Sequence, residues 1–167
     1  MSGAVAVRAV APQEGDLVLA CGALVADVYG GEDLLEDEDD YLLQLRDAAP
    51  RAREAVLLAA LQGQVLLGSA TFARDGSPWA ELARPGEAEM RMLAVSAASR
   101  GLGVGRLLTN ACLDLARTEG CTRFVLSSGP RMTGAHRMYQ GMGFVRTPER
   151  DWSPVPGVDL RTYALEL

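Results

Sequence analysis

The twenty residues EMRMLAVSAASRGLGVGRLL, 89–108, constrain the fold of this chain more than any other stretch. Glu89–Val95 reads as a β-strand, Ser96–Ser99 as a polar connection, Arg100–Gly105 as a glycine-rich turn, and the residues from Arg106 on as the opening of a helix. Glycines at alternate positions, Gly101, Gly103 and Gly105, strip side chains from the approach to that helix. A helix start leaves its first backbone N–H groups without acceptors, at the positive end of the helix dipole. Bare backbone leading into such a start makes an anion site, most naturally one for phosphate.

Spacing narrows the ligand. A dinucleotide fingerprint needs a third glycine where Arg106 stands, and a P-loop needs a lysine, which the chain lacks altogether. What remains is Arg100-x-x-Gly103-x-Gly105, directly after an apolar strand. A second pattern lies in GAHRMYQGMGF, residues 134–144, through Ala135, Met138, Tyr139, Gly143 and Phe144. Together, in this order and with a short strand between them, the two motifs resemble the signatures of the GNAT family of N-acetyltransferases. The first is similar to that family's pyrophosphate-binding pattern, the second to its C-terminal pattern Ala-x-x-hydrophobic-Tyr-x-x-x-Gly-Phe. The resemblance covers residues 87–144.

The resemblance implies an α/β (α+β) fold: a mixed, twisted sheet of six or seven strands with about four helices, as one domain over residues 1–167. In that fold the fourth and fifth strands splay apart to admit acetyl-CoA. The pantetheine arm would pair with the backbone of Leu93, Ala94 and Val95, like an added strand. Pyrophosphate would lie on the N–H groups of Arg100, Gly101, Leu102, Gly103, Val104, Gly105 and Arg106. The side chains of Arg100 and Arg106 would add charge-assisted bonds.

The implied chemistry is direct transfer of acetyl from acetyl-CoA, a co-substrate, to a primary amine of a small molecule or protein, with no metal. Tyr139 is the candidate general acid for the leaving thiolate. Glu89 is the candidate base: strand alternation sets Glu89, Arg91, Leu93 and Val95 on one face. Glu87 or water stands in reserve. His136, the only histidine, is expected on the cofactor side rather than as the base. One departure from the family pattern is Met132, where many relatives carry asparagine, so that Ser127 or Ser128 would take over cofactor contacts. The alternative is a catalytically silent acyl-CoA-binding sensor; the presence of Tyr139 and Glu89 favours an enzyme.

Charge supports the placing of the cofactor. Residues 1–80 hold five arginines against thirteen acids, and residues 81–167 eleven against nine, so the glycine turn lies in the positive half of a chain of net charge −6. That overall acidity argues against a nucleic-acid partner. Seven of the nine residues 32–40 are acidic, which reads either as a solvated loop and helix start or as an attractor for a cationic acceptor. Cys21, Cys112 and Cys121 are too dispersed for a disulfide frame or zinc site, no run is long enough to cross a membrane, and residues 1–12 lack a signal-peptide pattern. The expected location is cytoplasmic, and the resemblance raises a homodimer formed through C-terminal strands.

Elsewhere the pattern predicts a first strand at 4–10, a helix from Glu14 to Tyr29 ended by Gly30-Gly31, and a hairpin of 55–61 with 65–74. A helix over 103–119, a strand at 123–127, a helix over 133–140 and a final strand at 158–165 complete it. The connections 75–86 and 148–157 are expected, with 30–41, to choose the acceptor, and Trp79 to pack on the sheet.

Overall fold

The computed structural model describes residues 3–31, 39–154 and 156–167. The order is β1 (Ala6–Ala9), α1 (Gly15–Gly31), α2 (Asp39–Arg46), α3 (Ala49–Glu54), β2 (Val56–Gln62), β3 (Val65–Arg74) and β4 (Glu87–Val95). Next in the chain are α4 (Val104–Thr118), β5 (Arg123–Ser128), α5 (Thr133–Gly141), β6 (Val145–Arg146) and β7 (Arg161–Glu166). The strands form one mixed sheet in the order β1-β2-β3-β4-β5-β7-β6, in which β4 and β5 run parallel and the other pairs antiparallel. The parallel pair is joined by α4, the crossover expected of a strand–helix–strand sequence.

Two apolar layers sandwich the sheet. α4 and α5 cover one face with Val104, Leu108, Cys112 and Tyr139, packed on Phe72, Met90, Phe124 and Leu126. α1, α2 and α3 cover the other through Val18, Cys21, Val25, Leu45 and Ala52. Gly68 on β3 sets how closely α4 approaches: a Cβ there would stand 2.9 Å from Val104 Cγ1 and 3.0 Å from the carbonyl oxygen of Ala94. Gly22 does the same between α1 and α2, where a Cβ would collide with the backbone of Arg46.

Several boundaries differ from the sequence reading, for local reasons. α1 runs through Gly30 and Gly31 rather than stopping before them. α3 is not anticipated; a proline sits in its first turn, where the missing N–H costs nothing, and fully buried Arg51 anchors it by donating to the carbonyls of Gln44, Leu45 and Asp47. The last strand begins at Arg161 instead of 158, because the proline-rich excursion first closes on itself through a bridge between Trp152 and Leu160.

The more consequential difference lies inside β4. Thr71 opposes Arg91 but Ser69 opposes Ala94, so one residue of β3 faces two of β4. Met92 absorbs the extra residue at φ 56°, a left-handed conformation rare for methionine. A bulge shifts the face of everything beyond it. Leu93 and Val95 therefore pack with Met90 toward α4, and Met92 and Ala94 toward α1 and α2. The expectation that Glu89, Arg91, Leu93 and Val95 share a face is corrected accordingly: Glu89 and Arg91 lie on the opposite side from Leu93 and Val95.

Candidate active site

β4 and β5 pair over only four residues, Glu87 with Arg123 through Met90 with Leu126. Beyond Met90 the β4 edge that faces β5 has no strand partner among the described residues, leaving the backbone of residues 91–95 open to them on that side. The register and the bulge together open the sheet into a fork.

Into the fork runs a groove of about 840 Å³. Its walls are Leu93, Ala94 and Val95 from β4, the glycine turn through Arg106, and Thr133, Ala135 and Met138 from α5. Gly101 and Gly103 adopt φ of 82° and 79°, which only glycine takes without strain. These left-handed steps turn the chain into α4, whose start at Gly103 carries no side-chain cap. The first N–H groups of α4 thus face the groove rather than a serine or aspartate. Such a cradle fits a pyrophosphate, and the open edge of β4 fits an amide-bearing arm. Of residues 93–95 and 100–106, which the sequence proposes for the cofactor, all but Leu102 line this groove; Leu102 is 64% exposed.

A second cavity, about 240 Å³, continues from the groove; Leu93, Arg131 and Met132 line both. Tyr29, Tyr41, Arg91, Leu126, Tyr139, Trp152 and Asp159 complete its wall. Ser127 and Ser128 also line this cavity and not the groove, which corrects their expected place beside the cofactor; Ser128 instead sits with Met132 sulfur 3.6 Å from its hydroxyl. The excursion 148–157 contributes Trp152, Pro154 and Gly157, whereas no residue of the 75–86 connection lines either recess. Trp79 packs under Arg51 and donates to Glu54 at 3.1 Å. The acidic run expected as an attractor falls mainly at 32–38, outside the described residues.

Tyr139 is buried between Phe144 and Tyr163, with ring centroids 5.6 and 5.8 Å away, and borders the cavity from α5. Burial pushes its phenol well above the ordinary value, and the neighbouring Tyr29, Cys112 and Tyr163 push the same way. At neutral pH it keeps its proton, so it is a donor.

Glu89 is fully buried but lines neither recess. Its Oε2 accepts from three consecutive backbone N–H groups, Glu81 at 2.8 Å, Leu82 at 2.9 Å and Ala83 at 3.2 Å. Its Oε1 is buried and has no hydrogen-bond partner among the described residues. Burial raises this carboxyl above the usual range, against the opposing pull of those amides and Arg91. Glu87 is held differently: burial works to raise it, but Arg150, the Arg84 N–H and Arg123 outweigh that and keep it below the usual value. Both Glu87 oxygens are taken by Arg150, at 2.9 and 3.0 Å, so it is an anchor for the 148–150 turn rather than a base. His136 also departs from its expected place. It lies against Tyr163, 5.5 Å between ring centroids, and lines neither recess; burial lowers its basicity.

Tyr41 and Trp152 fall in the segments 30–41 and 148–157 that the sequence pointed to for the acceptor; what sequence reading missed of the cavity's polar wall is Tyr29, Arg91 and Asp159. They come from α1, β4 and the approach to β7, and no spacing rule connects them. Arg91 alone had a signal, an arginine inside an otherwise apolar strand.

The profile of the acetyltransferase (GNAT) family matches residues 23–144, and the chain belongs to that family. Among curated proteins it is similar to N-acetyltransferase 8F1 of Rattus norvegicus, 40% identical over 58 residues, which are 35% of this chain and 26% of that protein. The match thus spans about a quarter of that relative's length. Among solved structures the fold is shared with an acetyltransferase from Streptococcus agalactiae, with TM-score 0.74 and 19% identity over 98% of each chain. It is shared too with yncA from Salmonella typhimurium, solved with its cofactor acetyl-CoA, with TM-score 0.63 and 21% identity over 99% of this chain and 95% of that one. Among the described residues no helix is long and apolar enough to cross a membrane, and no group of three His, Cys, Asp or Glu is placed to hold a metal.

Proposed function

We propose that the protein is an acetyl-CoA-dependent N-acetyltransferase that moves acetyl directly to a primary amine. The observation that carries this reading is the junction of groove and cavity at the fork, where Leu93 and Met132 line both and Tyr139 borders the cavity side. A thioester laid along the open edge of β4 would present its carbonyl there. The carriage of acetyl-CoA by yncA, on the same fold, agrees with it.

The amine nitrogen attacks the thioester carbonyl as a neutral group; a new N–C bond forms and the C–S bond breaks. A backbone N–H near Val95 stabilises the oxyanion. The Tyr139 hydroxyl donates to the sulfur as charge develops on it, in a place where burial makes an unprotonated thiolate costly. The proton lost by nitrogen passes through water to Glu89, whose unpartnered Oε1 and raised carboxyl suit an acceptor. Products are the acetamide and the free thiol, and the proton taken by Glu89 returns through solvent to the Tyr139 oxygen, so that both groups end as they began.

The test is calorimetric titration with acetyl-CoA, then measurement of thiol release against a panel of amines. Micromolar binding with amine-dependent release supports the reading. Absence of binding overturns it, and binding without release by any amine leaves only the acyl-CoA sensor.

A further inference from the structure

We infer that the amine acceptor carries a carboxylate, as an α-amino acid does, and that Arg91 recognises it. This rests on the transferase reading above for where the amine lies.

The cavity is lined by charges of unequal status. Asp159 is exposed, and its carboxylate already accepts from the Ser153 hydroxyl at 2.6 Å. Arg131 is exposed at the junction with the groove. Arg91 is the inner one, its side chain only 12% exposed. Its Nη1 donates to the carbonyl of Trp79 at 3.0 Å, and its ion-pair partner Glu81 stands at 3.8 Å, 45% exposed. A pair at that separation and exposure neutralises little. A guanidinium has five donors; Trp79, Glu81 and the Tyr41 hydroxyl, which also hydrogen-bonds with Arg91, leave part of the fork for a ligand.

The surroundings add to the imbalance. Arg51, fully buried, lies close enough that burial and Arg91 both lower its basicity, and its own hydrogen bonds go to carbonyls. Tyr41 borders Arg91 and is kept neutral by burial. Glu89 is the buried acid on this side, and its Oε2 is spent on the 81–83 amides. Among the charged side chains that line the cavity, Arg91 and Arg131 stand against Asp159, and Arg51 adds a further positive charge behind Arg91. Such a wall repels a polyamine and attracts an anion, and planar arginine suits a carboxylate held by two parallel bonds.

Direction and size select the ligand. Arg91 lies on the α1–α2 side of the sheet and Tyr139 on the α5 side, so the cavity passes through the fork with Arg91 at one wall and the reacting centre at the other. About 240 Å³ is below the roughly 300–1,000 Å³ of pockets for drug-sized ligands, which suits a small metabolite. Tyr29, Met90, Met92 and Trp152 offer an apolar surround for a side chain. The acidic N-terminal half had suggested a cationic acceptor; the cavity wall indicates the reverse.

The experiment compares, at saturating acetyl-CoA, neutral L-amino acids such as methionine and phenylalanine with their primary amides, their decarboxylated amines and spermidine. The expected result is kcat/KM for an amino acid about 10–100-fold above its amide and its decarboxylated amine, the worth of a hydrogen bond to a charged group. Arg91→Met should erase most of that ratio through KM, and Arg91→Lys should restore part of it. Preference for the decarboxylated amine or spermidine, or an unchanged ratio in Arg91→Met, overturns the inference while the transferase reading stands. A parallel thermal shift with methionine in the presence of CoA separates the two claims. A shift in the wild type that Arg91→Met abolishes, without turnover of any amine, supports carboxylate recognition and overturns the transferase; no shift and no selectivity overturns the inference.

Discussion

The groove proposed for the cofactor and the cavity proposed for the acceptor adjoin, yet they are built from different material. The groove is made of backbone: an unpaired strand edge at 91–95, two left-handed glycines and an uncapped helix start. The cavity is made of side chains from α1, α2, β4, β5, α5 and the 148–160 segment. A backbone site presents the same N–H and C=O groups whatever residues flank it. A side-chain site changes its ligand with each substitution. The first therefore suits a ligand common to a family, the second one particular to a member.

The comparison can be broken most forcefully at Gly103. Gly103→Glu meets no steric obstacle, since nothing lies within 4 Å of the added Cβ, but it forces a side chain into φ 79° and sets a carboxylate in the anion cradle. Strain and repulsion together should weaken acetyl-CoA binding by about 100-fold or more, read by calorimetry. Unchanged affinity would mean that the turn is not the cradle.

Arg150→Met tests the other region. It strands Glu87 beneath the excursion that walls the cavity, and should lower stability by about 3 kcal/mol in denaturant titrations at neutral pH. The pH dependence carries the sign. In the wild type the lowered Glu87 carboxyl contributes stability above its unfolded value, lost as pH falls through the lower folded one. Without Arg150, burial leaves the carboxyl raised, so the deficit of the variant should shrink below about pH 4. A deficit that grows with acid would contradict this account.

At the junction, Tyr139→Phe should reduce kcat by about 10–100-fold with acetyl-CoA affinity nearly intact, the loss of one hydrogen bond to a charged sulfur. Wild-type turnover would assign that role to water. Glu89→Gln should lower turnover about 10-fold or more at neutral pH. A base acts when deprotonated, so wild-type kcat/KM should fall as pH drops through the raised Glu89 value, and the variant should lack that limb. Retention of the limb would leave Glu89 a support for the 81–83 amides only. The smallest effect belongs to Leu102→Ser: with its side chain 64% exposed, acetyl-CoA affinity should stay within about twofold.

The same contrast explains what could be read in advance. The α4 start and the glycine turn that leads into it obey short-range rules, because glycine at 101 and 103 and the apolar strand before them act within a few residues, whereas the splayed pair was expected from the family resemblance. The bulge at Met92 could not be read, since it arises from how β3 and β4 register against each other and no residue there demands it. That single step misplaced Leu93 and Val95 relative to Glu89. The buried arginines were equally hidden: Arg51 finds its carbonyls only when α2 and α3 meet, and Arg150 finds Glu87 across 63 residues of chain.

Local chemistry in the 89–108 stretch and in 134–144 carried the strand, the glycine turn and the α4 start, and through the family resemblance the sheet order, because turn and helix-start conformations are short-range properties. Which charges face the acceptor was decided by tertiary packing. Burial, pairing and pKa depend on neighbours distant in the chain, and those become neighbours only when the sheet closes.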